Sequence, residues 1–314
     1  MKATHFMFNK IYLIESISNY RAEDNDLAIG AKLEKRISKK IDELKNIDSK
    51  YDSLSCELIK IDGRQQWEIT MHKIEKEAQS GKYPIIHFIC HGSYDSVTGT
   101  SCMYLADSTV SQFYTSIQWV DVARALERIN IACHNNLMVT MCVCYGFCSL
   151  GNIFDDRHRI PYWCLLSKSK PVTLEEGLEM ADFYISLIQN LNIEEALKNL
   201  HGVLYNDETE ETDKLKFSTA DYLFEHFIRK EFKLREDAKY MEKEAWKVYN
   251  QKHLSLYWPW EWFLPAYKGI YAIEHNKIYK EISNYKFMFD IYPEEKERFD
   301  LPETYDELMR ADVL

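Results

Sequence analysis

Two apolar runs of the sequence each lead into a side chain that can do chemistry, with a glycine close behind it. The first run ends at His91, which Gly92 follows at once, and the second ends at Cys144, two residues before Gly146. A cysteine thiolate is a strong nucleophile, and a neighbouring imidazole can take up the thiol proton and later give it to a leaving group. The pair therefore predicts nucleophilic catalysis at a carbonyl carbon, with Cys144 as the attacking group and His91 as the general base.

The elements that would position this pair are two buried β-strands. Residues 85–89 (IIHFI) and 137–143 (LMVTMCV) are almost continuously apolar, as strands are when helices cover both faces of a parallel sheet. Because ligands bind at the carboxyl ends of parallel strands, neighbouring strands would bring His91 and Cys144 to one functional edge. The backbone N–H groups of Gly92 and Cys144 could form an oxyanion hole there. Such a donor contributes about 3–4 kcal/mol in enzymes where one has been removed.

The residues up to about 205 alternate strand and helix patterns. Strand patterns cover residues 10–17, 55–61, 85–90, 102–106, 137–144 and 162–167. Helical patterns, with apolar residues every three or four positions, cover residues 33–47, 67–78, 120–129, 174–189 and 193–204. Strands that alternate with helices of this length need crossover connections, and these produce a mainly parallel sheet. The predicted fold class is α/β.

An acidic segment marks the predicted domain boundary. Residues 206–217 carry a cluster of Asp and Glu that is typical of a solvated loop or linker. Residues 1–205 precede it as the α/β domain, and residues 218–314 follow it as a helical, aromatic-rich region. An aromatic group in that region consists of Tyr257, Trp258, Trp260, Trp262 and Phe263. We expect this group to be the core of a helical subdomain, and the alternative is a surface that stacks on a nucleotide base or grips a partner.

Composition argues against several functions. The chain has 314 residues, a net charge of −11 and no apolar run near the roughly 18 residues that a membrane span needs. The acidic balance argues against binding to the phosphate backbone of nucleic acids. The first residues lack the apolar core of a secretory signal, and several of the cysteines lie in apolar strand patterns, where free thiols are common. We therefore expect a cytoplasmic protein without disulfides that binds neither nucleic acid nor a membrane.

The two catalytic stretches resemble the caspase-like cysteine peptidases of clan CD, particularly the bacterial CHAT group. In that clan one strand ends in His-Gly, and a later apolar strand ends in a motif of the Ala-Cys-x-Gly kind. Here residues 86–92 (IHFICHG) match the first motif, and residues 142–146 (CVCYG) match the second. Residues 103–107 and 119–126 also resemble the segment that CHAT proteins place between these strands. The resemblance covers roughly residues 11–204 and does not extend to the last hundred or so residues.

The resemblance implies a three-layer caspase-like fold for residues 1–205, with helices on both sides of the sheet. It also implies a cysteine endopeptidase that acts on protein or peptide substrates, with His91 as base and Cys144 as nucleophile. This chemistry needs no cofactor. Because an ungated peptidase would damage the cell, we expect control by an activating partner or a nucleotide-type signal, in which residues 218–314 could take part. Relatives in bacteria often act in stress or antiviral defence, so such an effector role is a further expectation.

Cys142 is the main departure from the family pattern. It stands where smaller residues usually precede the nucleophile, and it lies on the same face of an extended strand as Cys144. The Cys-x-Gly spacing favours Cys144, but the choice between the two thiols stays open.

Several other residues carry weaker signals. Asp155 and Asp156 could form an acidic wall that binds a basic substrate side chain, although solvated loop carboxylates are more common. His87, inside its strand, is expected to be a hydrogen-bonded core histidine. The cysteines of residues 133–148 lack the paired spacing of a zinc site, so no metal is expected. The alternative to a peptidase is a caspase-like module without turnover that serves in signalling or ligand binding.

Overall fold

The chain divides into two compact units, Met1–Ala220 and Asp221–Leu314. The structure is a computed structural model, and it describes residues 6–17, 28–97, 100–110, 113–152, 158–200, 204–205, 215–236, 238–252, 258–272, 275–299 and 301–311. Residue 218, where the sequence places the start of the C-terminal region, falls within the last strand of the first unit. The domain limits drawn from the acidic segment stay predictions.

A mixed β-sheet lies at the centre of the first unit. The strands are β1 Lys10–Ser16, β2 Ser55–Lys60, β3 Pro84–Asp95, β4 Thr100–Ala106, β5 Tyr114–Gln118, β6 Met138–Cys142, β7 Cys164–Ser167, β8 Leu204–Tyr205 and β9 Lys216–Thr219. The main path runs β2-β1-β3-β6-β7-β9-β8, with β4 beside β3 and β5 beside β4. The pairs from β2 to β7 along this path are parallel, and β9 runs antiparallel to β7. The predicted α/β class with a mainly parallel sheet is confirmed.

Helices cover both faces of this sheet. They are α1 Ile29–Lys45, α2 Gly63–Gln79, α3 Trp119–Ala132, α4 Leu174–Asn190 and the short α5 Ile193–Leu197. Tyr184 of α4 contacts the ring of His87 on β3, whereas Trp67 of α2 contacts the ring of the next residue, Phe88. Consecutive strand residues point to opposite faces, so α4 and α2 lie on opposite sides of the sheet. Because α1 packs against α4 and α3 against α2, the unit has three layers.

The buried positions follow the sequence pattern. Every residue of β6 is buried, as is the part of β3 up to Cys90. Helix α1 buries Leu33, Ile37 and Ile41, which recur at the spacing of one helical face. The apolar runs thus form strands because two helical layers remove both of their faces from water.

Strand β3 is longer than the sequence predicts. Its apolar pattern ends at residue 90, but the strand continues to Asp95 because its last residues pair with the antiparallel strand β4, beginning with His91 opposite Tyr104. Strand β4 in turn pairs with β5, which was not predicted. His91 therefore lies where β3 leaves the parallel sheet and enters a hairpin.

The C-terminal region is helical, as predicted. Its helices are α6 Ala220–Glu236, α7 Ala238–Gln251, α8 Trp260–Ala272, α9 His275–Lys286 and α10 Tyr305–Arg310. Phe263 is buried in a cluster of α7 and α8, and Trp260 packs against that cluster. Trp258 and Trp262 are 51% and 74% exposed, and Tyr257 lies outside the described residues. The aromatic group is therefore partly core and partly surface. Across the described residues, no helix has the length and apolar character needed to cross a membrane.

Candidate active site

Strands β3 and β6 are neighbours, and their register brings the two predicted catalytic residues to one edge. The parallel pairing sets His87 opposite Thr140. A hydrogen bond of 2.6 Å joins His87 Nδ1 to Thr140 Oγ1, so paired residues point to the same face, which is the face covered by α4. The parallel ladder ends with Ile89 opposite Cys142, and His91 and Cys144 each follow its last pair by two residues. Both residues therefore lie at the carboxyl end of this ladder.

The two chain segments meet at Gly92. A Cβ atom on Gly92 would clash with the carbonyl oxygen of Cys144 and would lie 2.8 Å from Val143 Cγ1. Glycine is therefore needed here for close approach of two backbones rather than for an unusual turn. The predicted oxyanion donors, the N–H groups of Gly92 and Cys144, thus belong to segments that touch.

Cys144 lies in a tight turn rather than in the strand. The sequence predicts a strand that continues to residue 144, but β6 ends at Cys142. Tyr145 then takes a positive φ of 60°, and the N–H of Gly146 donates to the carbonyl oxygen of Val143 at 3.0 Å. This turn carries Cys144 out of the fully buried layer, and its side chain is half-buried.

A segment between β7 and α4 lies across this turn. The N–H of Val172 donates to Cys144 Sγ at 3.5 Å, and the N–H of Tyr145 donates to the carbonyl oxygen of Lys170 at 3.2 Å. The Val172 N–H is therefore a backbone donor that is directed at the candidate nucleophilic sulfur. Val172 was not found from the sequence, because a backbone contact between distant segments leaves no local pattern.

Cys142 has a different environment. Its side chain is buried, and burial raises the pKa of the Cys142 thiol to about 12, with smaller contributions from neighbouring Glu176 and Cys144. At pH 7 such a thiol is almost entirely protonated, and the thiolate is the nucleophile. The environment therefore disfavours Cys142 as the attacking group.

Tyrosine rings frame the edge that carries His91 and Cys144. Tyr114 of β5 meets the imidazole of His91 edge-on, with ring centroids 5.1 Å apart. Tyr94, further along β3, stacks on Tyr145 with centroids 5.6 Å apart. None of these tyrosines was singled out from the sequence. The only local signal for Tyr114 was a short run of β-forming residues.

His87 lies deeper on the same face and is fully buried. Its Nδ1 shares a hydrogen bond with Thr140 Oγ1, which shares another with the hydroxyl of Tyr184. Burial lowers the pKa of the His87 imidazole to about 3, so the ring is neutral at pH 7. His87 is thus a hydrogen-bonded core histidine, as expected.

The remaining predictions concern an acidic wall and a metal. Asp155 and Asp156 lie outside the described residues. All eight cysteines carry free thiols. Within the described ranges, no group of three or more His, Cys, Asp or Glu side chains could hold a metal ion.

Comparison with known proteins adds no family assignment. No protein-family model matches the chain, and no significant match to a curated protein was found. Function is therefore inferred from the geometry of the edge and from the residues that resemble the caspase-like motifs.

Proposed function

We propose that this protein is a caspase-like cysteine peptidase that hydrolyses peptide bonds with Cys144 and His91. The observation that carries the proposal is the close approach of Gly92 to the Cys144 carbonyl, because it joins the two strand ends that bear a thiol and an imidazole. The half-buried position of Cys144 and the Val172 N–H directed at Sγ give further support. The His-Gly and Cys-x-Gly motifs, which resemble those of clan CD, favour an endopeptidase.

In the proposed reaction, His91 takes the proton of Cys144, and the thiolate sulfur attacks the scissile carbonyl carbon. The carbonyl oxygen becomes an oxyanion, which the N–H groups of Gly92 and Cys144 would bind. The C–N bond then breaks, and the His91 imidazolium gives its proton to the leaving amine, which leaves a thioester on Cys144. Water that transfers a proton to His91 attacks this thioester, and the carboxyl product leaves as the proton returns to the sulfur.

The proposal extends to the setting of the reaction. Because an ungated peptidase would damage its host, we propose that a partner protein or a nucleotide-type signal activates the enzyme in the cytoplasm. The proposed role is that of a bacterial stress or defence effector, by resemblance to the CHAT group. Asp155 and Asp156 are proposed to favour a basic residue before the scissile bond.

An electrophilic peptide probe tests the catalytic assignment. The full chain is incubated with peptidyl acyloxymethyl ketones that end in Arg, Lys, Asp or Asn, and the adduct is located by peptide mass mapping. We expect an adduct on Cys144 that disappears in Cys144→Ala and forms about a hundredfold more slowly in His91→Ala. Cys142→Ala is the matched control, and it should keep the adduct.

Two other outcomes would overturn the assignment. An adduct that persists in Cys144→Ala and disappears in Cys142→Ala would make Cys142 the nucleophile. If no adduct forms, even when nucleotides and a cell lysate are added as sources of an activator, the fold would instead be a signalling or ligand-binding module without turnover.

A further inference from the structure

A stretch of backbone between β7 and α4, here called the crossing segment and defined as residues 168–173, is bonded to the turn that holds Cys144. The N–H of Val172 donates to Cys144 Sγ at 3.5 Å. The carbonyl oxygen of Lys170 accepts from the N–H of Tyr145 at 3.2 Å. The position of a donor to the sulfur therefore depends on how this segment is held.

The crossing segment leads directly into the first turn of α4. Thr173 is the N-cap of this helix, and it forms a capping box with Glu176. The N–H groups of a helix N-terminus carry a partial positive charge, which favours a nearby anion. The N–H of Val172, one residue before this N-cap, points at the sulfur itself.

Lys168 and Glu176 tie the two ends of the crossing segment together. Lys168 is only 4% exposed, and its Nζ lies 2.7 Å from Glu176 Oε1. The other carboxylate oxygen, Oε2, accepts from the N–H of Thr173 at 2.7 Å. A buried ammonium without a partner is unfavourable, so this pair is locked, and the segment between its members is held in place.

The Glu176 carboxylate also lies near Cys142, where its charge adds to the effect of burial in raising the pKa of that thiol. Lys168 Nζ lies 2.7 Å from the same carboxylate. Charged or titratable side chains on the neighbouring elements include His91 and Tyr94 on β3, Cys142 on β6, Tyr145 and Cys148 in and after the turn, Lys168 and Lys170 on the crossing segment, and Glu176 on α4.

We infer that Lys168 is a positioning residue for Cys144: through its ion pair with Glu176 it holds the crossing segment so that the Val172 N–H is kept against the sulfur. This inference rests on the proposed function only in treating Cys144 as the nucleophile. Thiol reactivity toward a small alkylating agent can be measured without any substrate, so the inference can be tested independently of peptide hydrolysis.

The backbone donor is tested first. The full chain is treated with iodoacetamide between pH 5 and pH 10, and the alkylation rate of Cys144 is followed by peptide mass mapping. Val172→Pro removes the N–H, and Val172→Ala keeps it as the matched control. We expect Val172→Pro to slow alkylation at pH 7 about tenfold and to move the midpoint of the pH profile upward, because one hydrogen bond to a charged acceptor is lost. Val172→Ala should match the parent protein.

The ion pair is tested by replacing each partner. Lys168→Met and Glu176→Gln both break the pair, so we expect each to slow alkylation of Cys144 at pH 7 about three- to tenfold as the crossing segment moves. Because the effect passes through the Val172 N–H, Lys168→Met should slow alkylation no further in a Val172→Pro background. Lys198→Met, in an exposed pair with Glu195, is the control for loss of a lysine and should have no effect. Cys102 and Cys148, also half-buried, serve as internal references.

Two results would overturn the inference. One is a Val172→Pro profile that coincides with that of Val172→Ala. The other is an effect of Lys168→Met that adds in full to that of Val172→Pro, which would mean that the pair acts on Cys144 by a route other than this N–H. If Lys168→Met fails to fold, Glu176→Gln takes its place in the same comparison.

Discussion

Strands β3 and β6 carry the same two residue types at two depths. The inner pair, His87 and Cys142, is 0% and 8% exposed, and burial lowers the pKa of His87 to about 3 and raises that of Cys142 to about 12. Both are uncharged at pH 7. The edge pair, His91 and Cys144, lies beyond the parallel part of the sheet and is half-buried. The residue types are the same at both depths, so the difference in burial comes from position along the strand.

The covering elements cause this difference. The inner pair lies under α4, whose Tyr184 contacts the ring of His87. The edge pair lies where β3 enters its hairpin and β6 has already ended, and the N–H of Val172 in the crossing segment donates to Cys144 Sγ. An apolar layer such as the one over the inner pair disfavours a charged group.

Replacement of the two histidines should show the largest difference between the edge pair and the inner pair. We expect His91→Ala to lower the rate of peptide hydrolysis about a thousandfold, because general acid–base transfer is lost. His87→Gln, which can still bond to Thr140, should change that rate less than threefold. Hydrolysis of a fluorogenic peptide by each variant measures both effects. Equal losses would mean that the inner histidine belongs to the reaction.

Gly92→Ala should separate the two strand ends. The added Cβ clashes with the Cys144 carbonyl, so we expect the rate of probe labelling at Cys144 to fall about a hundredfold as the segments move apart. Gly177→Ala on α4 is the matched control, since its Cβ would meet Ile29 only at an ordinary 3.4 Å. It should label normally and be slightly more stable, because alanine is the better helix former. Normal labelling of Gly92→Ala would refute the close approach.

The burial of the inner pair could largely be predicted from the sequence, whereas the surroundings of the edge pair could be predicted only in part. Near-continuous apolar runs specify strands covered on both faces, so β3, β6 and their burial follow from residue type. The ends of the two apolar runs also identify His91 and Cys144 as the candidate catalytic residues. The extension of β3 to Asp95 was missed, because antiparallel pairing with β4 continues the strand through half-exposed residues that carry no apolar pattern.

Contacts between segments that are distant along the chain could not be predicted from the sequence either. The Val172 N–H acts through the backbone, which is the same for every residue except proline, so residue type carries no signal for it. By residue type Lys168 and Glu176 are expected at the surface, and only the fold buries Lys168 and pairs it with Glu176. The antiparallel strand β9 follows an acidic segment, and its pairing with β7 joins residues more than forty positions apart.

The inner histidine should make stability depend on pH. In the unfolded chain His87 binds a proton below about pH 6.5, whereas in the folded protein burial keeps it neutral until about pH 3. The folded state therefore loses stability as pH falls below about 6.5. Between pH 7.5 and pH 4.5 we expect His87 to account for about 2–3 kcal/mol of the loss in unfolding free energy. Urea denaturation at both pH values should show a smaller loss in His87→Gln. Identical losses would mean that the inner histidine is charged in the fold.

Thr140→Val should have the smallest effect and should act on the inner pair alone. The valine methyl replaces the hydroxyl that serves both His87 and Tyr184, so two buried polar groups lose a partner. We expect the free energy of unfolding at pH 7.5 to fall by about 2 kcal/mol, measured by urea denaturation, and alkylation of Cys144 to change less than twofold. Thr140→Ser keeps the hydroxyl and is the matched control for loss of the methyl group. If Thr140→Val slows alkylation while Thr140→Ser does not, the buried hydrogen bonds affect the reactivity of Cys144, and the inner pair and the edge pair belong to one site.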